Sequence, residues 1–126
     1  MITRMNTTGV WVDNGEKAHD FYANKLGFKV MMDKKLGESG RFLMVVPQGG
    51  GTPLMVTTRM PGMADAQVGV QTPIVWETDD IQATYEELSA KGVEFPQAPT
   101  QQFWGGFEAT IKDSAGNLFK LLQTKA

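Results

Sequence analysis

The chain has 126 residues, 41% of them hydrophobic and 21% charged, which is ordinary usage for a domain able to bury one core without covalent staples. Its 12 basic and 14 acidic residues give a net charge of −2 with no basic cluster, so a phosphate-neutralising surface for nucleic acid is not expected. The absence of cysteine excludes disulfides, thiolate nucleophiles and Cys-ligated zinc, and a single histidine excludes a multi-histidine metal site within one chain.

The first element is an extended apolar run at Val10-Trp11-Val12. Asp13 follows, with Glu16 three residues on, the spacing of a capping box at a helix start. Ala18, Phe21, Tyr22 and Leu26 recur at helical spacing, and Gly27 stands where a helix C-cap glycine belongs. Phe28-Lys29-Val30-Met31 resumes as a strand. Further strands are expected at Arg41 to Val46 and Pro53 to Thr58, bounded by turns at Gly37-Glu38-Ser39-Gly40 and Gln48-Gly49-Gly50-Gly51. The stretch Arg59 to Thr72, with Pro61, Gly62 and Gly69, reads as a linker.

The plan then repeats. Ile74-Val75-Trp76 is a short strand, Asp79 with Gln82 begins a helix, and Ile81, Tyr85 and Leu88 form its apolar stripe. Gly92 ends the helix and Val93-Glu94-Phe95 starts the next strand. Phe103 to Ile111 and Leu118 to Leu122 are the last strands, joined by a hairpin turn at Asp113-Ser114-Ala115-Gly116-Asn117. An offset of 65 to 66 residues carries Val10-Trp11 onto Val75-Trp76, Asp13 onto Asp79, Ala18 onto Ala83 and Gly27 onto Gly92. This is a duplicated unit, not a solenoid. The expected fold class is α+β: one domain of two βαβββ modules, residues 1–60 and 73–126, joined through 61–72. A ferredoxin-like β-α-β-β-α-β arrangement fits less well, because two strands follow each β-α-β start. The longest apolar run, which ends at Val46, is far short of the roughly 20 residues of a membrane span. Met1 to Asn6 lack the apolar stretch of a secretory signal, so a cytoplasmic protein with no membrane partner is expected.

Three segments carry a family resemblance. VDNGEKAHDFYANKLGFKV, Val12 to Val30, resembles the opening signature of the vicinal oxygen chelate superfamily, which includes glyoxalase I, the extradiol dioxygenases and the bleomycin resistance proteins. WETDDIQATYEELSAKGVEF, Trp76 to Phe95, is similar to the start of its second module. DSAGNLFKLLQ, Asp113 to Gln123, resembles its closing signature, with serine and alanine between the aspartate and the glycine. The resemblance implies two βαβββ modules whose sheets curl into a cleft, and homodimeric pairing. It implies little about activity, because one fold hosts several chemistries.

In metal-dependent members each module gives one ligand from its first strand and one from its last, usually His or Gln, Glu, His and Glu. Carried over, these positions fall at Thr7, Met55, Pro73 and Lys120. Pro73 has no ligating side-chain atom and Lys120 is a cation, so the pattern argues against a metal, and no cofactor is expected. The resemblance is then to the metal-free, bleomycin-resistance-like branch, which binds a small, partly aromatic molecule and sequesters it. The alternative is a glyoxalase- or dioxygenase-like enzyme centred on Glu77 or Glu108.

Trp11, Met55, Glu77, Trp104, Glu108 and Lys120 are the candidate ligand-binding residues. Aromatic side chains stack on planar ligands, and a strand carboxylate can bind a cation. Lys120 can neutralise an anionic ligand or pair with Glu108, and Arg41 could act as Lys120 does. Trp76 is expected in the core, and His19 on a solvated helix face. Met31, Met44 and Met55 could line a soft pocket, with Met60-Pro61-Gly62-Met63 a lid or a plain connection. No nucleophile–His–acid arrangement can be assembled, so no catalytic residue is assigned.

Overall fold

The computed structural model describes residues 1–37, 40–58 and 67–124. Met60, Pro61, Gly62, Met63 and the turn residues Glu38 and Ser39 lie outside the described residues. The chain forms two compact units, Met1–Gly69 and Val70–Ala126.

The first unit holds β1 (Thr8–Val12), α1 (Gly15–His19), a π-helical stretch (Asp20–Lys25), β2 (Lys29–Leu36), β3 (Gly40–Val46) and β4 (Leu54–Thr58). Its sheet has the order β1-β4-β3-β2, with β1 and β4 parallel and the other pairs antiparallel. Alternation decides its two faces. Val10, Val12, Leu43, Val45, Leu54 and Val56 are buried beneath Ala18, Phe21 and Tyr22 of the helix. The intervening residues point to the uncovered face. The helix ends in a wide turn: Leu26 donates its N–H to the Phe21 carbonyl at 2.9 Å and Phe28 donates to that of Tyr22 at 2.9 Å. Gly27 between them has φ +73°, which is costly for any residue with a Cβ.

The second unit repeats this with β5 (Gln71–Glu77), α2 (Ile81–Ala90), β6 (Glu94–Gln101), β7 (Phe107–Lys112) and β8 (Leu118–Gln123), in the order β5-β8-β7-β6. Ala109, Ile111, Phe119 and Leu121 are buried on the same face as Ile81 and Leu88 of α2. Trp76 joins that core, its ring 5.9 Å from Phe119, as its strand parity predicts. The architecture is α+β with two four-stranded mixed sheets, each a βαβββ unit; a single ferredoxin-like sheet is not formed.

Several expected boundaries are corrected. The first helix is capped by Asn14, whose side chain accepts from the Lys17 N–H at 3.0 Å, and not by Asp13. The second is capped by Asp80, accepting from the Ala83 N–H at 3.0 Å, and not by Asp79. In both places the polar pair offers two candidates, and the extended backbone falls at the second of them. The strand expected from Phe103 begins only at Phe107, because Gln102 to Gly106 close a turn through Gln102 N–H to the Gly106 carbonyl at 2.8 Å.

The turn between β7 and β8 explains the closing signature. Asp113 accepts from the N–H groups of Ala115 at 2.9 Å and Asn117 at 2.8 Å, and Gly116 takes φ +89°. Asn117, fully buried, donates to Asp113 at 3.0 Å and accepts from the Val70 N–H at 3.1 Å. The motif therefore both turns the chain and fixes the entry to β5.

Candidate functional site

The helices cover one face of each sheet, and the uncovered faces carry the candidate residues. In the first unit, strand register sets two rows across the sheet. Gly9, Met55, Met44 and Met32 form one, and Trp11, Thr57, Phe42 and Lys34 the next. Trp11 thus lies opposite to the buried Val10 and Val12, as the alternation predicts. Met55 covers Gly9 closely: a Cβ there would stand 3.3 Å from the Met55 methyl carbon and 3.1 Å from its carbonyl oxygen. The missing side chain at position 9 lets Met55 lie flat on the sheet.

In the second unit Val75, Lys120, Thr110 and Gln97 form one row, and Glu77, Leu122, Glu108 and Thr100 the next. Lys120 Nζ donates to Thr110 Oγ1 at 3.1 Å and to Gln97 Oε1 at 3.5 Å, and lies 3.6 Å from Glu108 Oε1. Thr110 Oγ1 donates to Gln97 Oε1 at 3.3 Å. Lys120 and Glu108 are therefore brought together, both partly accessible. Glu77 lies two strands from Glu108, across Leu122, and is exposed. Trp104 sits in the β6–β7 turn rather than on a strand, 44% exposed, its indole folded over Gly106 so tightly that a Cβ there would overlap the ring. Its neighbour Phe103 is fully exposed.

Arg41 is corrected. It lies on the helix-covered face of the first sheet and donates from Nε to Asp33 Oδ1 at 2.7 Å and from Nη2 to Oδ2 at 2.6 Å. Gly15 packs against its stem, since a Cβ there would stand 2.6 Å from Arg41 Cβ. The guanidinium holds the Asp33 carboxyl below its ordinary range, and Asp33 raises Arg41 in return. His19 is not simply solvated either: its Nε2 lies 3.8 Å from Asp33 Oδ2.

The four positions that the resemblance marks carry side chains that do not suit a divalent cation. Thr7 Oγ1 donates to the Pro53 carbonyl at 3.1 Å, Met55 lies against Gly9, Pro73 offers no donor, and Lys120 is a cation held by its neighbours. Among the described residues no group of three or more His, Cys, Asp or Glu side chains comes together to hold a metal.

The sequence reading missed two features. Gln97 was hidden because β6 carries extra residues: three steps from Glu94 to Gln97 match two from Lys112 to Thr110 on β7. Pro96 and Pro99 fall in these irregular stretches, where a missing N–H costs least. The second is how a cavity of about 650 Å³ in the first unit is completed: Met31 and Met44 line it, as the soft-pocket expectation has it, but Met55 does not. Arg4, Met5 and Asn6 line one side, Gly51, Thr52 and Pro53 another, and Met31 and Met44 its sheet wall.

The comparisons with known proteins agree with this fold. Residues 4–121 match the model of the Glyoxalase/Bleomycin resistance protein/Dioxygenase superfamily. The chain belongs to that superfamily. It is 36% identical to the uncharacterized protein YetH of Bacillus subtilis (strain 168), over 96% of this chain and 98% of that one. Among solved structures it is similar to TnmS3, described as an antibiotic binding protein from Streptomyces sp. CB03234, at 30% identity and a TM-score of 0.80, covering 97% of this chain and 96% of that one. It is also similar to a superfamily member from Sphaerobacter thermophilus DSM 20745, at 34% identity and a TM-score of 0.81, covering 97% and 98%.

Proposed function

We propose that this protein binds a small, partly aromatic molecule on the uncovered sheet faces of its modules, without a metal, and sequesters it unaltered. The reading includes a homodimer in the cytoplasm. The observation that carries it is Lys120. It stands where metal-dependent relatives of this superfamily carry a carboxylate, and Thr110, Gln97 and Glu108 hold its ammonium on the open face. That cluster offers a cation, a carboxylate, a hydroxyl and an amide to polar groups of a ligand. In the same unit Trp104 supplies polarisable surface for the ligand's planar part, and on the first unit Trp11 and Met55 offer surface of the same kind. The similarity to a protein described as antibiotic binding supports the same reading.

The test is titration with planar aromatic antibiotics, read by tryptophan fluorescence, with recovery of the compound afterwards. Saturable quenching is expected, with the compound recovered unchanged. Lys120→Met should weaken binding about fivefold to tenfold, the scale of one partly exposed charge-assisted hydrogen bond. Conversion of the compound would replace sequestration by catalysis. Absence of saturable quenching across the set would overturn the reading.

A further inference from the structure

We propose that the cavity in the first unit takes an apolar aromatic molecule carrying one anionic group, with Arg4 as the anchor for that group. Met44 neighbours Met55 on the same uncovered face, so the inference rests on and deepens the sequestration reading for the first unit, and the probes below test it apart from Lys120.

The chain just beyond residues 4–6 is tied to the segment that enters β4. Thr8 N–H and Thr7 Oγ1 both donate to the Pro53 carbonyl, at 3.2 and 3.1 Å. These bonds set residues 4–6 beside Gly51, Thr52 and Pro53. The sheet wall comes from a register irregularity. Val30 pairs with Val45 and Met32 with Met44, leaving Met31 as an extra residue. That extra residue brings Met31 to the same cavity as Met44.

The chemistry of the lining is selective. Met5 is 68% exposed and Met31 is 56% exposed, so apolar surface beside the cavity is left in water. Thioether side chains adapt to irregular aromatic shapes, and uncovering them in water is unfavourable unless something covers them. The volume of about 650 Å³ falls inside the roughly 300–1,000 Å³ range of small-molecule sites. Arg4 is the charged residue in the lining, and among the described residues it forms no ion pair. A guanidinium beside an apolar wall favours a planar anion such as a carboxylate or sulfonate, by paired hydrogen bonds. Asn6 and Thr52 add neutral polar groups and no carboxylate opposes the anion within the lining.

The experiment uses the full chain without an N-terminal tag. It is titrated with anilinonaphthalene sulfonate and, separately, with N-phenylnaphthylamine, which has the same rings and no sulfonate. The sulfonate is expected to bind saturably at one site, about fivefold to tenfold tighter than the uncharged probe, the scale of one partly exposed charge-assisted contact. Arg4→Gln should bring the sulfonate down to the affinity of the uncharged probe and leave the latter unchanged. Met31→Glu should weaken both, and Lys91→Met, at an exposed lysine of the second unit outside either site, should change neither. Because Arg4 is exposed, its variant tests binding without threatening the fold. Equal affinity for the two probes, no saturable binding, or an Arg4→Gln protein identical to wild type would each overturn the proposal. Loss of the sulfonate on Lys120→Met with Arg4→Gln silent would also overturn it, and would place the probe on the second module.

Discussion

Arg41 shows what a single residue's surroundings add to its sequence position. At the head of a strand it reads as a spare cation, but Asp33, eight residues earlier on the antiparallel neighbour, takes both arms of its guanidinium. The pair is partly exposed, with side-chain exposures of 17% for Arg41 and 29% for Asp33, so its contribution is modest, about 1 kcal/mol. Its pH dependence has a definite sign. Arg41 lowers the folded pKa of Asp33, so the stabilisation is complete above the unfolded carboxyl value of about 3.9. It is lost as pH falls through the lower folded value. Urea melts of wild type and Asp33→Asn should therefore differ by about 1 kcal/mol at pH 7, and the difference should close as pH falls below the ordinary carboxyl range. A difference that persists undiminished in acid would assign the effect to packing instead. Lys120 was legible in advance because a family position marks it, and its pairing with Glu108 follows from strand parity. Gln97 and Asp33 were not, since both contacts depend on which strands adjoin and where their register slips.

At the scale of elements, the sequence predicts each strand and helix but misplaces their ends. Asp13-Asn14 and Asp79-Asp80 each present two adjacent capping side chains, and only backbone conformation chooses between them. Asp80 has the extended φ of −144° that lets its carboxylate reach back to the Ala83 N–H. Asp80→Ala should cost about 1 kcal/mol in a denaturant melt, whereas Asp79→Ala should be nearly neutral, because the N-cap hydrogen bond to Ala83 belongs to Asp80. The reverse order would return the cap to Asp79. The glycines proved more legible than the polar caps. Gly27 and Gly92, at φ +73° and +90°, end both helices where the spacing predicts, because a positive φ leaves little choice of residue. β6 marks the opposite limit: its prolines obscure a strand, and its two register shifts move side chains between faces in a way that period-two counting cannot follow.

For the molecule as a whole, the duplication was the strongest signal, because two modules sharing one spacing constrain each other's interpretation. It predicts two βαβββ units, and two four-stranded sheets are found, with matching strand orders that the duplication alone did not give. Function is less legible, since the fold accommodates metal enzymes and metal-free binders alike and the difference lies in a few side chains. Thr7, Met55, Pro73 and Lys120 offer a hydroxyl already donated to a backbone carbonyl, a thioether, a proline and an ammonium. Hard divalent cations need oxygen or imidazole donors, and a fixed ammonium at one of four positions opposes them electrostatically. This donor set makes a prediction for the intact protein. A metal bound only by the folded state at one hundred times its dissociation constant would add about 2.7 kcal/mol, which for a chain of this size is roughly 8–12 °C in Tm. Thermal melts with nickel, manganese, iron or zinc, and after treatment with a chelator, should agree to within about 1 °C, well below that shift. Elemental mass spectrometry on the same samples should find less than about a tenth of an equivalent, the occupancy expected of donors this weak. A chelator-sensitive rise with one of these ions would show that this chain gathers its ligands from other residues, and would move the search from binding assays to glyoxalase and dioxygenase chemistry.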